Sequence, residues 1–322
     1  MLPGLVSILF ALTATPASAP YAAEAARGLS ETISELPDTT GWVSPPRRPL
    51  PFSYDLYTFR GTDRRTAVVA SFAVPIGELE RAKEDSDFHY RFDVTLVLAD
   101  TALRTVYRTD DSVYVRVPRP LAGAHLLHTH IELEAPPSTT TIQRVIMTDA
   151  STPGIGQLYS TPFPVPDYNG TDLMLSDIAL GVPDSRGGLR RGDVAVALLP
   201  TGEFSEGSFD LYYEVYNLPV GNRYLTEIAI EEVEEDGTPK RDAGSPVGTR
   251  FTGESATRPD GSLGELRRVD TDLERGRYRL TVTVTDQDSG HAAQRSRFFD
   301  VRGRGRGATL VPALPRRGGT TE

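Results

Sequence analysis

The best candidate for metal chemistry in this sequence is a pair of histidines two residues apart. His128 and His130 are followed at the same spacing by Glu132, and His125 and His89 lie within reach in the chain. Side chains at positions i and i+2 of a β-strand point to the same face, so two imidazoles and a carboxylate there can bind one Zn²⁺. The spacing therefore gives a first hypothesis, a Zn-dependent enzyme that uses His128 and His130.

The alternate positions of the same segment favour a simpler interpretation. Leu127, Ile131 and Leu133 are apolar and take the opposite face, which is the pattern of a strand with one packed and one solvated side. We therefore expect the two histidines and Glu132 to lie on a polar outer face that faces solvent. The Zn-dependent enzyme is kept as an alternative.

One acidic segment could bind Ca²⁺, because carboxylates are its preferred ligands. Asp286, Asp288 and Gly290 lie between two strand-like segments, but the later glutamate of a calcium-binding loop is missing. Asp, Ser and Gly are also common turn formers, so we expect an ordinary turn. The acidic run at residues 231–236 is expected to be a solvated hairpin end that discourages edge-to-edge pairing.

Three tyrosines are candidates for a ligand or partner surface. Tyr212 and Tyr216 take the outward positions of the strand-like segment 209–216. Tyr224 lies on the next segment, which is predicted to pair with 209–216 across Pro219 and Gly221. Exposed aromatic side chains on a sheet can hold sugars or partner proteins. We name these tyrosines as the candidate surface, although the pattern favours incidental exposure.

The sequence offers no catalytic or cofactor-binding residues. It contains no cysteine, which excludes disulfides, thiolate metal sites and cysteine nucleophiles. It has no G-x-S-x-G elbow, P-loop or dinucleotide fingerprint. The formal net charge of -10 disfavours nucleic acid as a partner, because phosphate binding needs a positive field.

The N-terminus predicts export. Residues 5–12 (LVSILFAL) form a short apolar run, and Ala17-Ser18-Ala19 resembles a signal-peptidase site. The run is too short to span a bilayer, and no other segment is apolar enough to do so. We therefore expect a signal peptide over residues 1–19 and a periplasmic or secreted mature protein.

The rest of the chain reads as many short strands separated by turn residues. Alternating apolar positions mark the segments 88–98, 209–216 and 278–284, among others. No alternation of strands and helices occurs, so a parallel-sheet enzyme fold is not expected. This pattern predicts an all-β protein.

The segment 272–301 predicts the architecture more closely. Residues 278–284 and 295–301 read as two antiparallel strands joined by a tight turn. Leu273, Gly276 and Tyr278 match the tyrosine corner of immunoglobulin-like sandwiches, in which the tyrosine hydroxyl bonds the backbone a few residues upstream. We therefore predict two tandem immunoglobulin-like antiparallel β-sandwiches.

The chain of 322 residues divides at proline-rich and glycine-rich stretches. We predict a linker over residues 20–50, which includes a short amphipathic helix near 22–36. The first sandwich then covers residues 51–166 and the second residues 171–302, with Pro166–Gly170 as the junction. The Arg/Gly-rich residues 303–322 are predicted to be disordered, since they cannot bury enough apolar area to fold.

Two stretches resemble a known family. LMLSDIALG at 173–181, and SFDLYYEVYNL at 208–218 with LERGRYRLTVTVTDQDSG at 273–290, are similar to the C-terminal β-sandwich part of bacterial exported GWxTD-domain proteins. The helical domain that names the family is not seen, because Gly41-Trp42 is followed by Val-Ser-Pro. The resemblance implies a sandwich in an exported protein, and it implies no catalytic residues.

From these observations we expect an exported, non-enzymatic protein-interaction or scaffolding protein that needs no cofactor. Its partners are expected to be proteins, with polysaccharide as a further possibility. The first alternative is a carbohydrate-binding module that uses the three tyrosines. The second is the Zn-dependent enzyme.

Overall fold

The computed structural model describes residues 48–84, 87–101, 105–121, 123, 125–182, 188–204, 208–240, 246–258, 261–270, 273–302 and 310–312. The predicted signal peptide, the predicted helix near residues 22–36 and Trp42 lie outside these residues. Apart from one 3₁₀ turn at Ile76–Glu78, the regular structure in the described part is β-strand, which confirms the all-β prediction. No described helix is long and apolar enough to cross a membrane.

The first sandwich consists of nine strands and a short strand from the C-terminal tail. They are β1 (Arg48–Pro49), β2 (Ser53–Arg60), β3 (Thr66–Pro75), β4 (Ala82–Glu84), β5 (Asp87–Asp100), β6 (Val106–Val117), β7 (Leu126–Ala135), β8 (Thr141–Asp149) and β9 (Ile155–Pro162). Sheet I has the order β1-β9-β8-β5-β4, with β6 on the other side of β5. Sheet II starts with β2-β3-β7.

The core of the first sandwich lies between sheets I and II. The predicted alternation in β5 is confirmed, since Phe92, Val94, Leu96 and Leu98 are fully buried. They pack against alternate residues of β3 and β7 in one cluster that runs from Leu50 to Val165. The same alternation points the other side chains of sheet II away from this core.

The second sandwich contains eleven strands. They are β10 (Met174–Leu175), β11 (Ala179–Gly181), β12 (Leu189–Arg191), β13 (Val194–Val196), β14 (Glu203–Phe204), β15 (Ser208–Tyr216), β16 (Arg223–Val233), β17 (Val247–Glu254), β18 (Ser262–Asp270), β19 (Gly276–Asp286) and β20 (Ala292–Val301). Sheet III has the order β10-β15-β11, with β18 also paired to β15. Sheet IV has the order β14-β20-β19-β16-β17, and β12 and β13 form a separate hairpin.

The predicted tyrosine corner and hairpin are confirmed in the second sandwich. Leu280, Val282 and Val284 of β19 are fully buried, and β19 pairs with β20 through an antiparallel register. The Tyr278 hydroxyl donates a hydrogen bond to the carbonyl oxygen of Glu274 at 2.9 Å. Its ring stacks on Phe299 with centroids 5.5 Å apart. Local turn chemistry and strand alternation therefore fix this part of the core.

One predicted pairing is wrong. The segment at Tyr224 was expected to form a hairpin with the segment 209–216, but β16 pairs with β17 and β19 instead. Both sides of β15 are taken by sheet III, where it pairs with β10, β11 and β18. Asn217 adopts a left-handed φ of 64°, and the turn that follows carries the chain across to sheet IV.

Two predicted boundaries need correction. The linker was predicted to extend to residue 50, yet β1 pairs with β9 and Leu50 is fully buried in the first core. Pro49 is tolerated there because an edge strand can lack a donor. The predicted disordered tail also contains a short strand, β21 (Leu310–Pro312), which pairs in parallel with β7 and completes sheet II. A β-prone Leu-Val pair thus finds a free sheet edge.

The two sandwiches pack against each other through sheets II and III. Their outward side chains form a third buried cluster. Its members are Tyr57, Phe59, Ala67, Val69, Ala179, Leu189, Val196, Leu198 and Tyr212. The β12–β13 hairpin closes one side of this cluster. The backbone at Gly188, just before β12, approaches β13 closely, because a Cβ atom there would lie 2.1 Å from the Val196 carbonyl oxygen. We call this contact region the inter-sandwich interface.

Candidate functional site

The three candidate tyrosines lie in the interior, so their predicted exposure is wrong. Tyr212 and Tyr216 are 0% exposed and Tyr224 is 4% exposed. Tyr212 and Tyr216 do point outward from their own sandwich, as the alternation predicted. Their face is covered by the first sandwich, and the Tyr212 ring lies 5.9 Å from Phe59 of β2. The Tyr224 hydroxyl instead bonds the Glu265 carboxylate.

Glu214 lies between Tyr212 and Tyr216 and is the centre of a buried polar network. Its side chain is 2% exposed. The Tyr212 hydroxyl donates to Oε1 at 2.6 Å and the Tyr216 hydroxyl donates to Oε2 at 2.7 Å. Burial, and then the nearby carboxylate, raise the pKa of both hydroxyls, so they remain protonated donors. The three side chains share one face because they alternate along β15.

Two arginines compensate the buried charge of Glu214. Arg191 of β12 donates to both carboxylate oxygens, at 3.1 and 3.2 Å, and Arg258 donates to Oε1 at 3.3 Å. A buried carboxylate is costly unless it is paired and fully hydrogen-bonded, and Glu214 meets both conditions. The network is therefore a satisfied structural site.

Arg191 also connects the two sandwiches. Its Nη2 atom donates to the Arg60 carbonyl oxygen at 2.7 Å, and its guanidinium lies 5.0 Å from the centroid of the Phe59 ring. Its Nη1 atom lies 3.4 Å from Glu132 on β7. The backbone N–H of Arg60 in turn donates to the Tyr216 hydroxyl at 2.8 Å. The contacts of Arg191 and of Tyr216 both reach from the second sandwich to sheet II.

A second set of ion pairs crosses the interface at the edge of sheet IV. Arg297 of β20 pairs with Asp55 of β2, and its guanidinium lies 4.6 Å from the centroid of the Tyr57 ring. Arg295 pairs with Asp177, and the Asp177 carboxylate accepts the Thr58 N–H at 2.8 Å. Burial lowers the pKa of Arg297 to about 10, which still leaves it charged at neutral pH.

The junction between the sandwiches is part of this interface. Tyr168 is 3% exposed, and its hydroxyl lies 2.8 Å from the Thr58 hydroxyl. Its ring packs 5.2 Å from the ring of Tyr216. Its carbonyl oxygen accepts a hydrogen bond from Arg60 at 3.0 Å. The connecting segment is therefore fixed by contacts with residues of both sandwiches.

The histidine pair lies on the outward face of sheet II. The predicted solvent exposure is wrong for His128, which is buried, while His130 is half-buried and Glu132 is exposed. Burial, with a smaller effect of His130, lowers the pKa of His128 to about 4. Its Nε2 atom has no hydrogen-bond partner among the described residues. His128 is therefore a neutral imidazole at physiological pH.

The described residues do not bring a metal-ligand set together. No three His, Asp or Glu side chains within them lie close enough to hold a metal ion. His89 is on β5 of sheet I, where it contacts Tyr114. Glu132 faces Arg191 across the interface. The sequence spacing placed two imidazoles on one face, as expected, but it assembles no third ligand beside them.

The acidic turn after β19 is built by its own hydrogen bonds. Asp286 accepts from the Ser289 hydroxyl at 2.6 Å, from the Asp288 N–H at 3.0 Å and from the Asn222 amide at 3.1 Å. The Ser289 bond is the main reason that the pKa of Asp286 lies below its usual value. These donors occupy the oxygens that a cation would need.

The acidic run at residues 231–236 forms the predicted hairpin end. Glu231 pairs with Arg279 at 2.5 Å and Glu232 with Lys240 at 2.6 Å.

Open clefts of about 270 and 500 Å³ lie beside this turn and beside β17, and charged and polar side chains line them. Small-molecule sites are mostly apolar and enclosed, so neither cleft has that character.

Sequence reasoning missed the groups that matter most in the interface. Glu214 stands between two tyrosines in the outward positions of β15, which is an unusual setting for a solvated acid. Arg295 and Arg297 take the same face of β20 as the buried Phe299. Charged residues in core-facing positions were the available signal that this strand meets a second surface.

The comparisons with known proteins give no family. No protein-family model and no curated protein matches the sequence. Red sea bream transglutaminase shares 12% identity over 79% of this chain and 31% of its own, with a TM-score of 0.22. A Bacteroides uniformis β-glucuronidase shares 8% identity over 72% of this chain and 26% of its own, with a TM-score of 0.25. The chain spans less than a third of the length of each protein. TM-scores this low do not indicate a shared fold or function.

Proposed function

We propose that this chain is an exported, non-enzymatic protein-interaction or scaffolding protein. The observation that carries the proposal is the inter-sandwich interface, in which apolar contacts and paired buried charges hold two sandwiches in one orientation. Such a body presents its outer edges and loops at fixed distances from each other. That property suits a protein whose task is to position partners.

Sequence features support the exported part of the proposal. The apolar run and Ala-x-Ala site at the N-terminus are those of a signal peptide. The resemblance of residues 165–301 to the sandwich part of exported GWxTD-domain proteins agrees with this. A chain without cysteine must be stable from its cores alone in an oxidising compartment.

The two alternatives lose the residues on which they depended. A carbohydrate-binding module needs aromatic rings that a sugar can reach, and Tyr212, Tyr216 and Tyr224 are buried. A Zn-dependent enzyme needs a third ligand and an open coordination position. Among the described residues no third His, Asp or Glu lies beside the pair, and His128 is buried.

Site-specific photo-crosslinking in the native host tests the proposal. Four large apolar side chains are exposed in the described residues: Val106, Val220, Val247 and Leu266. A photoreactive amino acid at Val106, Val247 or Leu266, which lie in strands, should give discrete protein adducts in the exported fraction. Val220 lies in a turn and is the control, at which no discrete adduct is expected.

The opposite outcome is equally clear. If no position gives a protein adduct while the purified protein is retained by polysaccharides on a glycan array, the carbohydrate alternative replaces the proposal. If the protein remains in the cytoplasm with residues 1–19 attached, the exported assignment fails.

A further inference from the structure

The edge of β7 that faces away from β3 is largely unpaired. On its inner side, β7 pairs with β3 through all ten residues, from Leu126 opposite Pro75 to Ala135 opposite Thr66. The register skips no residue, so β7 has no bulge that would prevent a further strand from pairing with its outer edge. On the outer side, only residues 126–128 have a strand partner in the part of the chain that the structure describes. An open edge of this kind is a template for another strand.

The chain itself supplies the occupant. Residues 310–312 (LVP) pair in parallel with residues 126–128, and the preceding residues 302–309 read RGRGRGAT. Three residues form a short contact, and Pro312 has no backbone N–H to donate. A short covalent tether holds such a segment near its site at an effective concentration on the order of millimolar. A partner segment that also pairs with residues 129–135 would make more hydrogen bonds and displace it.

We propose that the outer edge of β7 is a strand-acceptor site for an extended basic and aliphatic peptide segment, and that residues 310–312 occupy it as an internal, displaceable ligand. The proposal rests on the protein-interaction function argued above and names where and how a partner binds. Main-chain hydrogen bonds along an edge supply affinity in this mode of recognition, and flanking side chains supply selectivity.

Charge near the edge favours a basic segment. Strand β6 contacts β7 and carries Asp110, which pairs with Arg108, and Asp111. Asp111 is close enough to His130 on β7 to oppose the burial that lowers the pKa of that imidazole. The whole chain is acidic, with a formal net charge of -10, whereas the segment before β21 carries three arginines. The internal ligand thus has the charge that its site attracts.

The full-length chain allows a direct test. Val311→Pro removes one of the two N–H donors in the paired segment and should vacate the edge. Amide exchange at His128, whose N–H points away from β3, should then become at least tenfold faster than in the wild type. A synthetic peptide of residues 302–314 should bind the variant at least tenfold more tightly than it binds the wild type, and should restore slow exchange. Thr320→Pro, in the same tail, is the matched control and should change neither result.

Two peptide variants separate the sources of affinity. N-methylation at Val311 should abolish binding, because it removes the same donor from the peptide. Replacement of the three arginines by serine should weaken binding and remove most of its salt dependence. Unchanged exchange at His128 in Val311→Pro, or no binding of the peptide to that variant, would overturn the proposal. Either result would leave the crosslinking test of the general function intact.

Discussion

At the scale of single residues, the interface explains side chains that the sequence assigned to solvent. Tyr212 and Tyr216 both occupy outward positions of β15, and both are buried because sheet II of the first sandwich covers them. The alternation of the strands was predictable, but the identity of the covering surface was not. Nothing in the sequence around either residue states which distant strand will face it.

His128 should make the protein less stable in acid. A folded-state pKa of about 4, against an ordinary value of 6.5, means that protonation favours the unfolded chain. The contribution of the neutral imidazole is complete above pH 6.5 and is lost as the pH falls towards 4, by about 3 kcal/mol at most. Urea unfolding of His128→Gln at pH 7 and pH 4.5 should show a smaller difference than the wild type. His291→Gln, at an exposed histidine, should retain the wild-type difference.

Glu214→Gln should destabilise the protein by roughly 2–4 kcal/mol, because it leaves the half-buried guanidinium groups of Arg191 and Arg258 with a neutral partner. The free energy of unfolding from urea titration measures this. Glu231→Gln removes the carboxylate of a solvated ion pair with Arg279 and should cost less than about 1 kcal/mol. If both variants lose the same unfolding free energy, the Glu214 network contributes no more to stability than the Glu231–Arg279 ion pair.

At the scale of elements, strand alternation and turn chemistry were reliable guides, and long-range pairing was not. The buried faces of β5 and β19 and the tyrosine corner follow from local sequence. The crossing from β15 to β16 does not, because the residues of the turn do not state which sheet receives the next strand. For the same reason the tail strand β21 could not be predicted: its partner lies almost two hundred residues earlier.

The tyrosine corner should contribute measurably to the second sandwich. Tyr278→Phe removes the 2.9 Å hydrogen bond to the Glu274 carbonyl and should reduce stability by about 1 kcal/mol. Thermal unfolding is a suitable measure. Tyr159→Phe is the control, since that tyrosine contacts Phe52 and Tyr54 through its ring. A loss in the control as large as that in Tyr278→Phe would refute a special role for the corner hydrogen bond.

At the scale of the whole molecule, the two sandwiches should behave as one thermodynamic unit. The core clusters on either side are separate, yet the inter-sandwich interface buries Tyr57, Phe59 and Tyr212 completely. Large apolar contact between neighbouring domains couples their unfolding. The sequence predicted two domains joined at residues 166–170, and it gave no sign that their faces would be shared.

Ala179→Glu should uncouple the two sandwiches, because it places an unpaired charge in the interface cluster. Calorimetry should show a single transition for the wild type and two separated transitions for the variant. Thr283→Glu, on the outward face of β19, is the control and should keep one transition. A wild-type scan that already resolves two transitions would contradict the coupling.

The anchoring of Tyr168 has a consequence for proteases. A linker between tandem domains is usually the first place where a protease cuts, because cleavage needs an extended and accessible segment of chain. Here the segment between the two cores is tied to Thr58, Arg60 and Tyr216 and cannot enter a protease cleft without opening the interface. The middle of the chain should therefore resist digestion longer than its ends, and limited proteolysis should yield shortened chains before it yields two halves.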